Sequence, residues 1–496
     1  MPTPPEILAV ARPKNTIVVP YGKKKDRFAV RRRVGCRYVG GRHVPVTGPT
    51  VGHIVDGAFV PMPERPAVSD PDPELKDWAV TELADRCFGD VFEELRRVYN
   101  DEDARRIWCI AVLRVCYPGV ADSDLKERYE TSFLSERHPG VALSRNAVSK
   151  FQNDLGKACS RIIEFMRNRA AAVGADARLL LDGTLKSDES RVNSLSDFSR
   201  KARTKGTRDI SVLYAFDLER NEPVCSKCFP GNMLDVTAYG AFVEECGVER
   251  GLLVADKGFP ASAAASHRAR HPGLHYLNPI KRNARLGETH GMLDFDAHLR
   301  GRDGVLCRKA KVRGSGKWLY SFRDSEKAAA EEKSWLAKAR KDGTFDKAQF
   351  ERQRRRFGTI VLECDLDLPP ETIYKAYDER WQIEIVMRYY KNACGFDETR
   401  VQDDYSVIGS EFCDFLATVL TFRMIKEFDK ANVLEKATYS RVCAVLRRAK
   451  KIRWPDGEWR LVRLNPAHEE MLRALSLLPP RPDPPRRPRG RPRKAR

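Results

Sequence analysis

The sequence lacks three features that would place the chain in other protein classes. It contains no run of about eighteen apolar residues, the length that a membrane-spanning helix requires. Its N-terminal stretch, MPTPPEILAVARPKN, has no apolar core of the kind that signal peptides carry. The one Cys-x-x-Cys pair, Cys225 and Cys228, has no second ligand pair nearby, which argues against a structural zinc site. We therefore expect a cytoplasmic chain without membrane partners, whose thirteen cysteines are reduced thiols.

The sequence is instead rich in positive charge. Its 89 Lys and Arg residues against 69 Asp and Glu residues give a formal net charge of +20. Such an excess favours polyanionic partners, and nucleic acid first among them. The 42% of apolar residues and the seven Trp argue for a folded chain, and 496 residues suffice for several domains.

Changes in residue pattern divide the chain into seven predicted regions. Alternating residues and frequent turns predict strands near the N-terminus, and helical periodicity follows them. Three strands and then helix–strand–helix–strand predict a mixed α/β sheet. The regions are a β-rich N-terminal module at 1–70, a helical region at 74–170, a first core part at 177–283, an insertion with strands and charged helices at 284–365, a second core part at 366–430, a C-terminal helical region at 431–478 and a disordered basic tail at 479–496.

The segment 377–391, YDERWQIEIVMRYYK, has a helical pattern that interleaves polar with apolar residues. Its polar positions are Tyr377, Arg380, Glu384 and Lys391. At about 100° per residue these positions lie within roughly 60° of one another and form a stripe about 21 Å long. The stripe indicates either a cleft with a carboxylate between phosphate-binding cations or an ordinary amphipathic helix with internal ion pairs.

Two further acids follow buried strands. Asp182 in LLLDGT and Asp256 in LLVADKG each come after a run of aliphatic residues, where the predicted strands end. Each acid taken singly is equally well explained as a turn or helix cap. If the striped helix packs beside the sheet, Glu384 joins them, and three converging carboxylates favour Mg²⁺ or Mn²⁺. Two such ions activate a nucleophile and stabilise the leaving oxygen of a phosphodiester, with Tyr377, Arg380 and Lys391 on flanking phosphates.

The order of these elements resembles a known family. A strand with Asp182, a strand with Asp256, a β-containing insertion and a helix with Glu384 resemble the ribonuclease-H-like core of DDE transposases. The spacing Y-x2-R-x3-E-x6-K is similar to the YREK signature of the insertion-sequence-4 family. DKGF after the second strand and YKAYDERWQIE before the third acid are similar to that family's surroundings as well. The resemblance covers about 177–430.

The resemblance implies a bacterial, nucleoid-associated transposase that moves an insertion sequence by cut-and-paste transposition. Such an enzyme binds terminal inverted repeats as a dimer, cleaves the DNA through a hairpin intermediate and joins the freed 3′-OH to target DNA. The family pattern makes Asp182, Asp256 and Glu384 the ligands of the metal ions. It also implies that a Trp of the insertion stabilises a flipped base, for which Trp318 is a candidate beside its alternative role in core packing.

Recognition of the transposon ends is expected outside this core. The β-rich module and the helical region are the candidates, and Ser144 is predicted to cap a helix that belongs either to a helix-turn-helix or to a plain bundle. In the tail, the residues 489–492 (RGRP) resemble an AT-hook, although a basic tail also binds phosphates without sequence preference. Two rival functions remain open, a non-catalytic DNA-binding protein derived from a transposase and a ribonuclease-H-like nuclease or resolvase.

Overall fold

The computed structural model describes most of the chain, in two compact units. Unit 1 covers residues 1–73 and unit 2 covers residues 74–496. The described residues are 3–22, 27–39, 41–62, 74–188, 190–199, 206–233, 235–255, 270–380, 398–399 and 401–481.

Unit 1 is built on one antiparallel sheet. Its strands are in the order β1-β2-β3-β4, and each pairs with its neighbour in the chain. Val18, Val30 and Ile54 form its small buried core. The elements are α1 (Pro5–Ala9), β1 (Thr16–Tyr21), β2 (Arg27–Val39), β3 (Arg42–Val55) and β4 (Ala58–Pro61).

Unit 2 begins with a short strand and six helices. Polar side chains define where two of the longer helices start: Asn100 Oδ1 accepts a hydrogen bond from Asp103 N at 2.8 Å, and Ser144 Oγ accepts one from Ala147 N at 3.4 Å. The predicted cap at Ser144 is therefore confirmed. The elements are β5 (Leu75–Asp77), α2 (Ala79–Val98), α3 (Asp101–Cys116), α4 (Leu125–Glu130), α5 (Leu134–Arg137), α6 (Arg145–Lys157) and α7 (Cys159–Ala171).

A mixed sheet follows the helices. Its central order is β9-β8-β6-β10-β11, in which β8 is antiparallel to β6 and β9, whereas β10 is parallel to β6 and β11. Buried aliphatic runs, as in Leu179–Leu181, suit a strand that is covered on both faces. The elements are β6 (Arg178–Ser187), β7 (Asp197–Phe198), β8 (Arg208–Asp217), β9 (Glu222–Pro230), α8 (Asp235–Cys246), β10 (Gly251–Ala255) and β11 (Leu274–Ile280).

The insertion that the sequence predicts at 284–365 extends this sheet. Its last strand pairs antiparallel with β11, and the sheet continues outward through the earlier strands, so that it has ten strands within the described residues. The elements are α9 (Arg285–Thr289), β12 (Ala297–His298), β13 (Val305–Val312), β14 (Lys317–Asp324), α10 (Ser325–Asp342), α11 (Lys347–Arg354) and β15 (Thr359–Cys364).

The C-terminal part returns to the helical region. The elements are α12 (Pro370–Asp378), α13 (Asp404–Lys430), α14 (Tyr439–Arg448), β16 (Lys450–Arg453), β17 (Trp459–Leu461) and α15 (Pro466–Ala474). The region predicted as helical at 431–478 also contains two short strands, because α14 ends at Arg448 and β16 and β17 follow it. The end of α14 is set from far away in the chain, because Lys450 pairs with Asp77 of β5 in a small antiparallel sheet.

The mixed α/β fold, the antiparallel N-terminal sheet and the helical region confirm the predicted fold class. In unit 2 one continuous core joins the helices to the sheet, and α13 lies at its centre with Phe412, Phe415 and Leu416 buried. Among the described residues, every helix is too short or too polar to cross a membrane.

Candidate active site

Asp182 lies where the buried part of β6 meets the solvent. Leu179, Leu180 and Leu181 before it are 2%, 1% and 1% exposed, whereas Asp182 is half-buried. Its Oδ1 accepts a hydrogen bond from the backbone N–H of Gly183 at 2.9 Å. This bond orients the carboxylate of Asp182, and its half-burial places the residue at the rim of the core, as the sequence predicts.

The strand itself does not end at Asp182, which corrects the prediction from the LLLDGT pattern. β6 continues to Ser187 because β8 pairs with it along its whole length, with Tyr214 as the partner of Asp182. On the other side of β6, the parallel ladder with β10 can be followed within the described residues as far as the register pair of Ala255 with Leu181, the residue before Asp182.

Three of the six predicted site residues lie outside the described residues, namely Asp256, Glu384 and Lys391. Asp256 directly follows Ala255, the last residue of β10. The structure describes Asp182, Tyr377 and Arg380.

Tyr377 and Arg380 lie together, as the predicted stripe requires. The Arg380 guanidinium lies over the Tyr377 ring, 5.1 Å from its centroid. α12 ends at Asp378, and a one-residue turn at Glu379 separates it from Arg380, which is again helical. Glu379 keeps helical dihedral angles, φ −58° and ψ −21°, and its N–H donates to Lys375 O at 3.0 Å as in an α-helix. The helical course predicted from Tyr377 is therefore kept as far as Arg380, and the rest of it lies outside the described residues.

Contacts on both sides of the segment 381–397 attach the chain to β6. Before the segment, Glu379 Oε2 lies 3.0 Å from Arg178 NH1, at the first residue of β6. After it, Glu398 forms a parallel bridge with Ser187, the last residue of β6, and Thr399 N donates to Ser187 O at 2.9 Å. The two described flanks of the segment that contains Glu384 and Lys391 are thus held at opposite ends of the strand that carries Asp182.

A buried network of charges lies at the far end of the same strand. Lys186 is fully buried, and its Nζ donates to Glu411 Oε1 at 2.8 Å and to Asp414 Oδ2 at 2.9 Å. Arg114 of α3 donates to Asp414 Oδ1 at 2.7 Å and to Asp122 Oδ1 at 3.2 Å. Burial by itself would lower the pKa of Lys186, but the carboxylates of Asp414 and Glu411 outweigh it and raise the pKa above its ordinary value.

This network was not predicted from the sequence. A signal for it exists in the sequence, because Lys186 ends an apolar strand and Glu411 and Asp414 stand three apart within the apolar run SEFCDFLATVL. A charged residue within a buried pattern requires a buried partner. The network ties β6 to α3 and α13, and it therefore connects the strand that carries Asp182 with the helical region.

Trp318 of the insertion is half-buried in β14 and packs against the main core. Lys309 Nζ lies 4.7 Å and Lys311 Nζ lies 5.5 Å from its ring. Core packing, one of the two predicted roles of this Trp, is therefore observed. The AT-hook-like residues 489–492 lie outside the described part of the chain.

The described residues contain no group of three His, Cys, Asp or Glu side chains placed to hold a metal ion. Asp256 and Glu384, two of the three predicted ligands, are not among them. Asp182 has the donor chemistry of a site for Mg²⁺ or Mn²⁺, since it is an oriented carboxylate at the rim of the core.

Comparison with known families adds the decisive observation. Residues 178–406, just under half of the chain, match the family model of the transposase DDE domain. The chain carries a transposase DDE domain. This DDE domain begins at the first residue of β6 and ends in the first turn of α13. All six predicted site residues lie within it, whereas unit 1 and the helices α2–α7 lie before it.

Comparison with individual proteins adds little to this. None of the curated proteins matches the chain significantly. Among solved structures, the chain is similar to a cryo-EM structure of a piggyBac transposase synaptic complex with hairpin DNA. The identity is 11%, the similarity covers 76% of this chain and 82% of that chain, and the TM-score is 0.39.

Proposed function

We propose that this protein is a metal-dependent DNA transposase that cuts and joins DNA at the terminal inverted repeats of an insertion sequence. The DDE domain supports this reaction class. The proposal assigns metal binding and catalysis to Asp182, Asp256 and Glu384, and contacts with DNA phosphates to Tyr377, Arg380 and Lys391. It includes cut-and-paste movement with a hairpin intermediate, as the YREK-like spacing of the insertion-sequence-4 family suggests.

The attachment of both flanks of 381–397 to β6 is the observation that carries the proposal. Residues 178 to 187 of a strand span about 30 Å, and residues 380 to 398 of a helix would span about 27 Å. A helix between Arg380 and Glu398 would therefore run beside β6 for its whole length. We propose that this course brings Glu384 to the side of Asp182, as a DDE site requires.

The register of the parallel ladder supports the second carboxylate. Ala255 pairs with Leu181, and the next residues along the two strands are Asp256 and Asp182. Consecutive Cα atoms are about 3.8 Å apart, so we propose that Asp256 stands close to Asp182. In α/β proteins, sites gather at the carboxyl ends of parallel strands, and Ala255 is the last residue of β10.

Three carboxylates at that edge would repel one another unless cations were bound between them. Bound Mg²⁺ or Mn²⁺, in the proposal two ions, would supply the chemistry by activating water or a 3′-hydroxyl and stabilising the leaving oxygen. The protein's own contribution is orientation. The Gly183 N–H holds the Asp182 carboxylate, and the Lys186 network fixes the strand on which it stands.

The proposed DNA contacts follow the same segment. Arg380 stacks on Tyr377, and this contact fixes the orientation of its planar guanidinium group. A fixed orientation favours the bidentate binding of a phosphate. Lys391 stands eleven residues after Arg380, about 17 Å along a helix. That separation suits contacts with different phosphates along a DNA backbone rather than with one.

Further parts of the proposal rest on the family resemblance. The order β9-β8-β6-β10-β11, with an antiparallel first half and a parallel second half, supports a ribonuclease-H-like core. Two copies would synapse the two transposon ends, and the enzyme would act on chromosomal DNA in a bacterial cytoplasm. The proposed regions of the chain are those predicted from its sequence, with end recognition placed before residue 178.

The test is strand cleavage by the full-length protein. The protein is incubated with Mg²⁺ and the DNA that flanks its own gene, and nicked, hairpin and joined products are separated. We expect all three products from the wild type, and none from Asp182→Asn, Asp256→Asn or Glu384→Gln, while each variant still binds the DNA. Chelation of the metal ions should have the same effect.

Asp197→Asn is the matched control, because Asp197 is also a half-buried strand aspartate whose Oδ1 accepts a hydrogen bond from the next backbone N–H, at 2.7 Å. It should retain cleavage. Cleavage by Asp182→Asn at the wild-type rate would refute the metal site. Nicking without joining would instead favour a nuclease, and binding without any cleavage would favour a non-catalytic protein derived from a transposase.

A further inference from the structure

The long hairpin of unit 1 extends beyond the rest of its sheet. β1 pairs with β2 only as far as Thr16 with Arg32, and Asn15 O accepts one further bond from Arg33 N at 2.9 Å. Beyond that point β2 and β3 pair only with each other, from Gly35 with Val46 to Val39 with Arg42. We refer to residues 33–47 as the hairpin arm. Across a strand length of about 20 Å, the arm is a two-stranded ribbon.

The hairpin arm has no core of its own. Its described side chains are exposed or nearly so, including Tyr38 at 67%, Val34 at 58%, and Val44 and Val46 at 37% each. An isolated two-stranded ribbon is at best marginally stable in water, because it has no apolar face to bury. One cross-strand ring pair, Tyr38 with His43 at 5.0 Å, supports it locally. A binding partner that covers the arm would therefore stabilise it.

The charge of this hairpin indicates the chemistry of that partner. β2 and β3 contain six arginines and no acidic residue from Arg27 to Val55. Within the described residues, none of the arm's guanidinium groups, on Arg33, Arg37 and Arg42, forms an ion pair, although many arginines of unit 2 do. Unpaired, exposed guanidinium groups around apolar and aromatic side chains fit a polyanion that also offers apolar surface.

We propose that the hairpin arm is a DNA-binding ribbon that lies in the major groove of duplex DNA. The major groove is about 12 Å wide and admits a two-stranded ribbon, with side chains facing both the base edges and the phosphates. Register shifts between Val30 and Gly35 increase the twist of the ribbon at its base. The choice of DNA rests on the proposed function, and the arm would add a contact outside the DDE domain.

Charge substitution in the full-length protein tests the arm. The affinity for a fluorescent duplex DNA is measured by anisotropy across a range of salt concentrations. The triple variant Arg33→Ala, Arg37→Ala and Arg42→Ala should bind at least about tenfold more weakly and lower the slope of log K against log salt by about 2 to 3, since each lost phosphate contact removes about 0.9. The corresponding Arg→Lys variant should keep most of the slope.

The matched control removes three arginines that carboxylates already neutralise. Arg96 and Arg460 are exposed and Arg105 is half-buried, and they pair with Glu93, Asp456 and Asp101 respectively. Their triple Ala variant changes the net charge by the same amount and should leave the slope nearly unchanged. Equal losses in both triple variants would mean that only the overall charge matters, which would overturn the proposal.

A second measurement needs no substitution. Cys36 lies on the hairpin arm and is an exposed free thiol. Cys159, which is also exposed but lies on α7, serves as the reference thiol outside the arm. Alkylation with a maleimide, followed by peptide mass spectrometry, should show that bound duplex DNA slows the reaction of Cys36. An unprotected Cys36 in the DNA-bound protein would overturn the proposal.

Two other polyanions give distinct outcomes. Duplex RNA has a deep and narrow major groove that a ribbon does not enter, so RNA should compete poorly with DNA. Binding to anionic phospholipid vesicles that depends on the arm, with no arm dependence on DNA, would assign the arm to a membrane surface and refute the inference. The hypothesis on the hairpin arm and the proposed function can be tested separately. A protein that binds DNA through the arm but never cleaves it would support DNA binding by the arm and contradict the transposase function.

Discussion

The buried Lys186 Nζ lies 2.9 Å from Asp414 Oδ2, although the two residues are 228 positions apart in the chain. Lys186 belongs to the strand that carries Asp182, and Asp414 belongs to the central helix α13. Both side chains are buried among the apolar residues of their own elements. The contact is therefore a charged pair within a hydrophobic core. Because Asp182 and Lys186 stand four residues apart on one face of β6, the pair holds the strand on which the candidate catalytic acid depends.

Lys186→Met is expected to destabilise the protein strongly. The substitution leaves Glu411 and Asp414 buried with one cation fewer, and removing one partner from a buried charged network costs about 3 to 5 kcal/mol. The free energy of unfolding from denaturant titration measures the effect. Lys430→Met is the control, since Lys430 pairs with Glu427 in an exposed position, where solvent screens the pair and its contribution to stability is small. A Lys186→Met protein as stable as the wild type would contradict this account of the core.

Gly409→Ala should disrupt the crossing of α6 and α13. A Cβ at Gly409 would lie 2.0 Å from Gln152 O, a backbone atom that cannot rotate away, so the two helices would have to separate. Overpacking of this kind costs about 1 to 3 kcal/mol. Gly89→Ala is the matched control in helix α2, because nothing lies within 4 Å of the added Cβ, and we expect it to stabilise the helix by about 0.5 to 1 kcal/mol. Thermal unfolding of both variants tests the prediction. A change of Tm in the same direction for the two variants would refute it.

Protonation of His138 should weaken the fold in acid. Burial, followed by the nearby Arg105 and Arg137, lowers the pKa of His138 from 6.5 to about 4, and its ring lies 5.3 Å from that of Phe92. Between these two pKa values the unfolded state binds the extra proton, so the contribution of His138 to stability is present above pH 6.5 and is lost as the pH falls to about 4. His138→Phe should therefore lose less stability than the wild type over this window, which denaturant titrations at a series of pH values measure.

Asp85 provides the control of opposite sign for that experiment. Burial raises the pKa of Asp85 from 3.8 to about 6, despite the nearby Arg137. Its contribution is therefore present below pH 3.8 and is lost as the pH rises through about 6. Asp85→Asn should make the loss of stability in acid steeper than in the wild type. Parallel pH profiles for the two variants would show that neither group titrates as described.

Arg380→Ala tests the proposed phosphate contact beside the active site. The variant should bind transposon-end DNA more weakly, and the slope of log K against log salt should fall by about 0.9, the value for one contact. Arg302→Ala is the control, since Arg302 also lies over a tyrosine, 5.8 Å from the ring of Tyr374, and stands outside the proposed DNA contacts. Anisotropy titrations compare the two. An unchanged slope for Arg380→Ala would remove Arg380 from the DNA interface.

Local patterns in the sequence were sufficient for much of the fold. The apolar run before Asp182 predicts a buried strand, Ser144 predicts the start of α6, and the mixed order of strands and helices predicts a mixed sheet. Each of these signals is carried by residues within a few positions of one another, and backbone preferences and side-chain periodicity act over that range. The motif spacing similarly identified the segment that the DDE domain contains.

The tertiary structure alone decided the rest. β6 runs past Asp182 because β8 pairs with it, α14 ends early because β5 pairs with Lys450, and Lys186 is buried because acids from α13 reach it. These partners lie tens to hundreds of residues away, and no local pattern specifies which distant partner a strand or charge will find. The same holds for the attachment of Glu379 and Glu398 to opposite ends of β6, since a helix pattern describes one segment and only the packed fold fixes the strand that the segment accompanies.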